Sequence, residues 1–389
     1  MSVTTAAKQL IPIARPFVGK EEEEAVVQSL RSGWLSQGPR VAEFEKQFAE
    51  YVSAKHAIAV SSCTTALHLA FIGAGIGPGD EVLCPSLSFI ATANSIRYVG
   101  ATPVFVDIDP VTFNIDPSKV EAAITPCTKA ILAVHQIGLP AAMVEINDIA
   151  RRRNLLVIED AACAIGSVYQ GKRVGAPHAS MACFSFHPRK ILTTGEGGMI
   201  TTSDEKVAAR IRQLRQHAMN TSDLMRHQSQ RVVLENYDEV GYNFRMTDMQ
   251  AAIGIVQLGR VESFIERRRA FAARYTQELA KLRWLMPPAE PEGCRHNFQS
   301  YMARLKKDAP ISRDALMQQL LDRGISTRRG IMASHREAPY RDARWDRELR
   351  ETNAATDECI ILPLFHQMKE EEQEFVLDSI REIGRTAGH

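Results

Sequence analysis

Two segments of this chain place reactive groups at the ends of apolar runs. One is VIEDAA, residues 157–162, which carries Asp160; the other is SFHPRK, residues 185–190, which ends on Lys190. A lysine amine condenses with aldehydes, and apolar or electropositive surroundings promote this by lowering its protonated fraction. An ionised carboxylate beside a heterocyclic ring keeps the ring nitrogen protonated, and the ring can then take up electrons from a carbanion. Each residue also has an ordinary use. Most lysines are simply solvated, and Asp160 could cap a helix begun by Ala161 and Ala162. Spacing favours the chemical reading, because Ser185 comes 25 positions after Asp160 and five before Lys190.

Other residues extend the pattern. Ser61-Ser-Cys-Thr64-Thr65 lies between an apolar run and a helical stretch, where hydroxyls, backbone N–H groups and a helix dipole suit a phosphate. Ordinary N-capping would use the same residue types. Phe89, in SLSFIATAN, follows another apolar run and offers either a stacking face or a core ring. Gly195, Gly197 and Gly198, just past Lys190, permit close backbone approach to a ligand. GAGIGPGD (73–80) is glycine-rich but follows a helix and lacks the third glycine of G-x-G-x-x-G, so it reads as a helix end and turn. His187 reads as packing beside Lys190.

These groups need a frame. Residues 57–61, 81–84, 103–107, 130–135, 155–160 and 183–186 are short apolar runs bounded by turn residues. Helical spacing occupies 64–72, 89–98 and 144–153 between them. Such runs suit strands covered on both faces, and their alternation with helices predicts an α/β fold with a mostly parallel sheet flanked by helices. Composition changes near residue 246. Residues 247–282 read as one long helix or two in series, and Pro287, Pro288 and Pro291 mark a linker. Strand-like 301–305 and helical 313–323 and 370–383 then predict a smaller C-terminal α+β domain. The expected division is 1–250, with the N-terminal arm in the large domain, and 251–389.

Bulk properties exclude several classes. With 389 residues, 45% apolar and 24% charged, the chain is ordinary for a globular protein, and a net charge of +1 argues against nucleic acid. Seven scattered cysteines form no C-x-x-C pair, so neither a metal nor disulfides are expected, and a reduced, cytoplasmic protein is. No apolar stretch is long enough to span a membrane.

Taken together, the segments resemble the DegT-type sugar aminotransferases, within the fold type I group of pyridoxal phosphate (PLP) enzymes. The resemblance covers essentially the whole chain. Its marks are GWLSQGPRVAEFE (33–45), SSCTTALHLA (61–70), PSLSFIATANSI (85–96), VIEDAACAIGS (157–167), FSFHPRKILTTGEGGMI (184–200), GYNFRMTDMQAAIGIVQL (241–258) and LPLF (362–365). It implies that Lys190 holds PLP as a Schiff base and shuttles protons, and that Asp160 partners the pyridine nitrogen. Phe89 would stack on the ring, while Thr64, Ser185 and the amides near Cys63 would hold the phosphate. Asn243 would reach the phosphate from the other subunit of a homodimer. Two positions depart from the family pattern: Cys163 stands where many relatives carry Gln or His, and Cys63 where Gly is frequent. Arg329, next to Arg328, and His335 fall where relatives contact substrate; Trp34 and Tyr242 are further candidates. The implied reaction passes an amine from L-glutamate to a keto-sugar, nucleotide-linked. A PLP-dependent sugar dehydratase is one alternative, though such relatives replace the lysine with histidine. A non-catalytic PLP-binding regulatory protein is another.

Overall fold

Apolar runs that are buried on both sides require helices above and below a sheet, and the chain supplies both. A computed structural model describes residues 10–221, 231–232 and 234–387. Helices α1 (Lys20–Ser32) and α2 (Pro39–Val52) lead into β1 (His56–Val60) and α3 (Cys63–Gly73). Next come β2 (Glu81–Pro85), α4 (Ala91–Tyr98), β3 (Thr102–Val106), the one-turn α5 (Pro117–Val120), β4 (Thr128–Val134), α6 (Met143–Arg153) and β5 (Leu156–Asp160). The short β6 (Val168–Tyr169) and β7 (Lys172–Arg173) precede β8 (Met181–Ser185), β9 (Gly198–Thr202) and α7 (Glu205–Leu214). After these follow α8 (Asp248–Leu258), α9 (Val261–Leu279), β10 (Leu285–Met286), β11 (Cys294–Arg295), β12 (Tyr301–Leu305) and α10 (Arg313–Asp322). The last elements are β13 (Arg328–Arg329), α11 (Ala343–Glu348), α12 (Arg350–Glu358), β14 (Cys359–Leu362) and α13 (Glu370–Ala387).

The central sheet runs β1-β9-β8-β5-β4-β2-β3. Its β8-β5-β4-β2-β3 stretch is parallel, and only β9 runs against its neighbours. Alternate residues of each strand serve opposite faces. Ile58, Val82, Leu132 and Ile158 pack under α3, α4 and α7. Ala57, Ala182 and Phe184 meet α2, α8 and the start of α9, while Ile131 and Val157 meet α6. These strands carry little charge because neither face is wet.

Of the two readings of 247–282, the structure takes the second. The helical stretch after residue 246 is two helices, interrupted at Gly259 and Arg260. Their apolar residues divide along α9: Phe264 and Ile265 join the large core, whereas Phe271, Tyr275 and Leu279 join the core of the β10-β12-β14-β13 sheet. The change of partner therefore falls inside α9 rather than at 250. The start of the N-terminal arm also packs on the smaller unit. Ile11 bridges Ile325 and sits in that core, because its backbone completes the edge beside Gly324 and Ser326.

Asp107, just past β3, ties the two units together. Its buried carboxylate accepts the Glu351 and Thr352 amides at 3.0 and 2.8 Å and the Thr352 hydroxyl at 2.8 Å. It thereby caps α12, whose own N-cap residue, Leu349, has no side-chain bond to give. Burial alone would raise the Asp107 pKa, but these donors outweigh it and hold it below the ordinary 3.8. A depressed carboxylate pKa contributes stability above the unfolded value, which is lost as pH falls through the folded one. Asp107→Asn is therefore expected to cost about 1–3 kcal/mol at pH 7 and to flatten the loss of stability below pH 4. Urea melts at pH 7 and pH 3 check this; equal acid sensitivity in both proteins would contradict it.

Candidate active site

Strands that run the same way bring their carboxyl ends to one edge, where open α/β sheets receive ligands. Here β1, β2, β4, β5 and β8 all end there, because β1 is antiparallel to β9, which is itself antiparallel to β8. Register sets the neighbours. Val60 and Ser185 both pair with Gly198, and Val134 and Cys183 flank Asp160. A cavity of about 330 Å³ opens at this edge, lined by Thr64, Phe89, Asp160, Cys163, Ser185 and Lys190, among others.

Lys190 Nζ donates to Cys163 Sγ at 3.0 Å. Burial disfavours the ammonium, but the Cys163 sulfur, with Cys63 and Asp160 further away, holds the Lys190 pKa above its ordinary value. Asp160 is 5% exposed, and the residues after it form turns rather than the helix it could have capped. Its Oδ1 accepts the Ala162 amide at 3.2 Å and its Oδ2 the Thr92 hydroxyl at 2.8 Å. Phe89 is 69% exposed, so its ring faces the cavity rather than the core.

The mouth of α3 completes the site. Ser62 and Thr65 form a capping box, with the Thr65 amide on Ser62 Oγ at 3.2 Å and the Ser62 amide on Thr65 Oγ1 at 3.0 Å. That box occupies Thr65, and the Cys63 and Thr64 amides stand in the first helical turn, where amides have no intrahelical partner and the helix dipole is positive. Gly198 is required for this packing: a side-chain carbon there would lie 2.5 Å from the Ser62 carbonyl and 2.7 Å from the Cys63 nitrogen. His187 lines the cavity too, its Nδ1 accepting the Arg189 amide at 3.2 Å; burial lowers its pKa, against the opposing pull of Glu196.

A buried amine, a paired carboxylate, an exposed aromatic face and a helix N-terminus in one cleft match a known family. The description of the DegT/DnrJ/EryC1/StrS aminotransferase family matches residues 16–381. The chain belongs to that family. It is 43% identical over 376 residues to GDP-perosamine synthase of Caulobacter vibrioides, covering 96% of this chain and 98% of that protein. It is 40% identical over 381 residues to the spore coat polysaccharide biosynthesis protein SpsC of Bacillus subtilis, covering 97% and 98%. Among solved structures, the PLP-form of Spr1654 from Streptococcus pneumoniae superposes with a TM-score of 0.90 at 27% identity, covering 97% of this chain and 99% of that one. The fold is that of the fold type I PLP enzymes, and the protein is a PLP-dependent transaminase.

The cavity fits the family's cofactor. Its aromatic face suits a flat ring, its acid and amine suit the two ends of a pyridine aldehyde, and the α3 amides suit a phosphate. Both departures from the family pattern lie on the cavity wall. Cys163 contacts Lys190 directly, while Cys63 is buried with its sulfur 3.5 Å from the Cys183 carbonyl oxygen. The bulkier side chain in place of glycine thus turns into the core.

Other sequence candidates lie outside this cavity. Asn243 is exposed and bridges Gln216. Trp34 is half-buried against Gly38, where a side-chain carbon would lie 2.6 Å from its ring. Tyr242 stacks on Phe244 with ring centroids 4.9 Å apart. Arg329 is exposed on β13, paired with Ile360 of β14. His335 is 1% exposed, bonded through Nδ1 to Ser86 at 2.7 Å and through Nε2 to Asn353 at 3.2 Å. Packing consumes both nitrogens of His335, so the structure gives it a structural place rather than a substrate-facing one. Conversely, the cavity is lined by His135 and Thr92, which the sequence reading passed over. His135 carried a usable signal, a polar residue at the carboxyl end of the AILAVH run. Among the described residues no His/Cys/Asp/Glu cluster could hold a metal, and no helix is long and apolar enough to cross a membrane.

Proposed function

We propose that the protein transfers an amino group from L-glutamate to the ketone of a nucleotide-linked sugar, as a homodimer in the cytoplasm. The observation that carries this reading is the joint placement of Lys190, Asp160, Phe89 and the α3 N-terminus around one cavity. The name of one relative, GDP-perosamine synthase, supports a nucleotide-linked acceptor. Seven free cysteines suit a reducing compartment.

Bound PLP supplies an aldehyde that condenses with amines and a ring that accepts the electrons released at the donor's α-carbon. Lys190 is the proton carrier: its Nζ takes the donor's α-proton and, in the second half-reaction, returns one to the acceptor carbon. Cys163, 3.0 Å from that nitrogen, holds the amine in place when it is free. Asp160 would pair with the ring nitrogen and keep it protonated. Thr64, Ser185 and the amides of Cys63 and Thr64 hold the phosphate, and Phe89 covers one ring face. Asn243, exposed and away from its own chain's cavity, reaches the phosphate of a second copy through an isologous interface. Arg329, exposed on β13, and Trp34, half-buried near Gly38, would meet the bulk of the sugar nucleotide.

Both half-reactions use one site, so ping-pong kinetics are expected. The test supplies 15N-labelled glutamate and a panel of UDP-, dTDP-, GDP- and CDP-linked keto-sugars, with mass spectrometry of the products. Label should enter one of these sugars. Transfer only to free cyclitol ketones or simple keto acids would overturn the acceptor class.

A further inference from the structure

Thr92 lies in the first turn of α4, yet its hydroxyl does not serve that helix. Hydroxyls inside helices commonly bond the carbonyl four residues back. The Thr92 hydroxyl instead donates to Asp160 Oδ2 at 2.8 Å, across to the end of β5. Behind it, Ser88 Oγ lies 2.7 Å from Thr92 Oγ1. Thr92, Ser88 and Asp160 are 2%, 3% and 5% exposed, so water does not substitute for these bonds.

Proton counting fixes the polarity of the chain. A threonine hydroxyl has one proton, and against an ionised carboxylate that proton points at Oδ2. The bond between Ser88 and Thr92 must then be donated by Ser88. Both hydroxyl protons are aimed along one line toward the acid. A proton on Oδ2 of Asp160 would reverse the chain and leave the Ser88 proton in need of another acceptor. Ser88 cannot drift to provide one, because its N–H is bonded to the Met332 carbonyl at 3.1 Å and its carbonyl accepts Ser334 Oγ at 3.4 Å. The Ala162 amide holds the other carboxylate oxygen.

We propose that Thr92, backed by Ser88, is the positioning residue that fixes the direction of the Asp160 carboxylate and so its hold on the ring nitrogen's proton. The proposal rests on the reading of Asp160 as the partner of the cofactor's ring nitrogen. Lys190, Cys63 and Cys183 are titratable groups that interact electrostatically with the same carboxylate, and a substitution at Thr92 alters none of them.

The test uses holoenzyme reconstituted with PLP labelled with 15N in the ring. Thr92→Val keeps the shape and removes the donor; Thr92→Ser keeps the donor. In Thr92→Val the ring nitrogen should lose its proton at a lower pH than in the wild type, read from its 15N shift. PLP affinity of the apoenzyme and kcat should each fall about 10- to 100-fold, the scale of one hydrogen bond to a charged group, with the glutamate KM little changed. Thr92→Ser should restore most of the difference. An unaltered ring titration in Thr92→Val overturns the proposal, as does a Thr92→Ser protein as impaired as Thr92→Val. Asp160→Asn supplies the control. It should itself deprotonate the ring, and adding Thr92→Val should then change nothing further. A ring that stays protonated in Asp160→Asn removes the Asp160 assignment, and the role of Thr92 with it; a further loss in the double variant removes the Thr92 role alone.

Discussion

Lys190→Ala is expected to lower transamination by about four orders of magnitude or more while leaving the fold intact. Lys190 is the only lysine among the residues that line the cavity, so no neighbouring amine could take over its proposed role as the cofactor's covalent anchor. Its proton-carrying role is nearly as hard to replace. His187 lines the same cavity, but burial pushes its pKa down, and its Nδ1 is occupied by the Arg189 amide. A trace of activity in the variant should therefore carry a pH profile unlike the wild type's. Two measurements check the expectation. Turnover with labelled glutamate should vanish, and borohydride treatment should attach cofactor mass to the peptide bearing Lys190 in the wild type and to no peptide in the variant. Wild-type-like turnover in Lys190→Ala would remove the assignment outright.

Much of this arrangement was legible because it follows from strand ends. Apolar runs bounded by turn residues mark where each strand stops, and in a parallel sheet all such stops face one way. Asp160, Ser185 and the Ser61–Thr65 stretch could be placed at one edge from that rule alone. The antiparallel insertion of β9 was not legible, since GMITT reads like any other buried run; yet that insertion places Gly198 between the ends of β1 and β8. Phe89 was ambiguous for another reason. Exposure is a tertiary property, and a core ring and a cavity ring have the same local sequence. Thr92 escaped notice because its partner lies on a different strand, and no periodicity encodes a hydroxyl meeting a distant acid. The same limit explains His335. Its position in the chain suited substrate contact, but Ser86 and Asn353 close around it only in the folded state. The arm and the domain boundary shifted because a core is defined by which apolar faces meet, and α9 serves two cores along its length.

Asp160→Asn is the second large effect, and it separates charge from geometry. Asparagine has the same shape, so its side-chain oxygen can still accept the Thr92 hydroxyl that now bonds Asp160 Oδ2 at 2.8 Å. What disappears is the negative charge, together with the Ala162 amide's acceptor, since the asparagine nitrogen cannot accept. An amide cannot hold a proton on a pyridine nitrogen, and a neutral ring is a poorer sink for the electrons of the donor's α-carbon. The expected loss in kcat is about 10²–10³-fold, the scale on which removal of one preorganised electrostatic partner acts. Thr64 and Ser185, proposed above to hold the phosphate, are untouched, so the variant should still take up cofactor, with reduced affinity. Glutamate KM should move far less than kcat, because the interaction strengthens as charge develops rather than on binding. The contrast with Lys190→Ala is diagnostic. Asp160→Asn should still be fixed by borohydride at Lys190, since the amine remains, and yet turn over slowly. An Asp160→Asn enzyme with unchanged kcat would remove Asp160 as the group that keeps the ring protonated, since His135, the other titratable residue close by on the cavity wall, has both ring nitrogens engaged by Glu159 and the Ala141 amide.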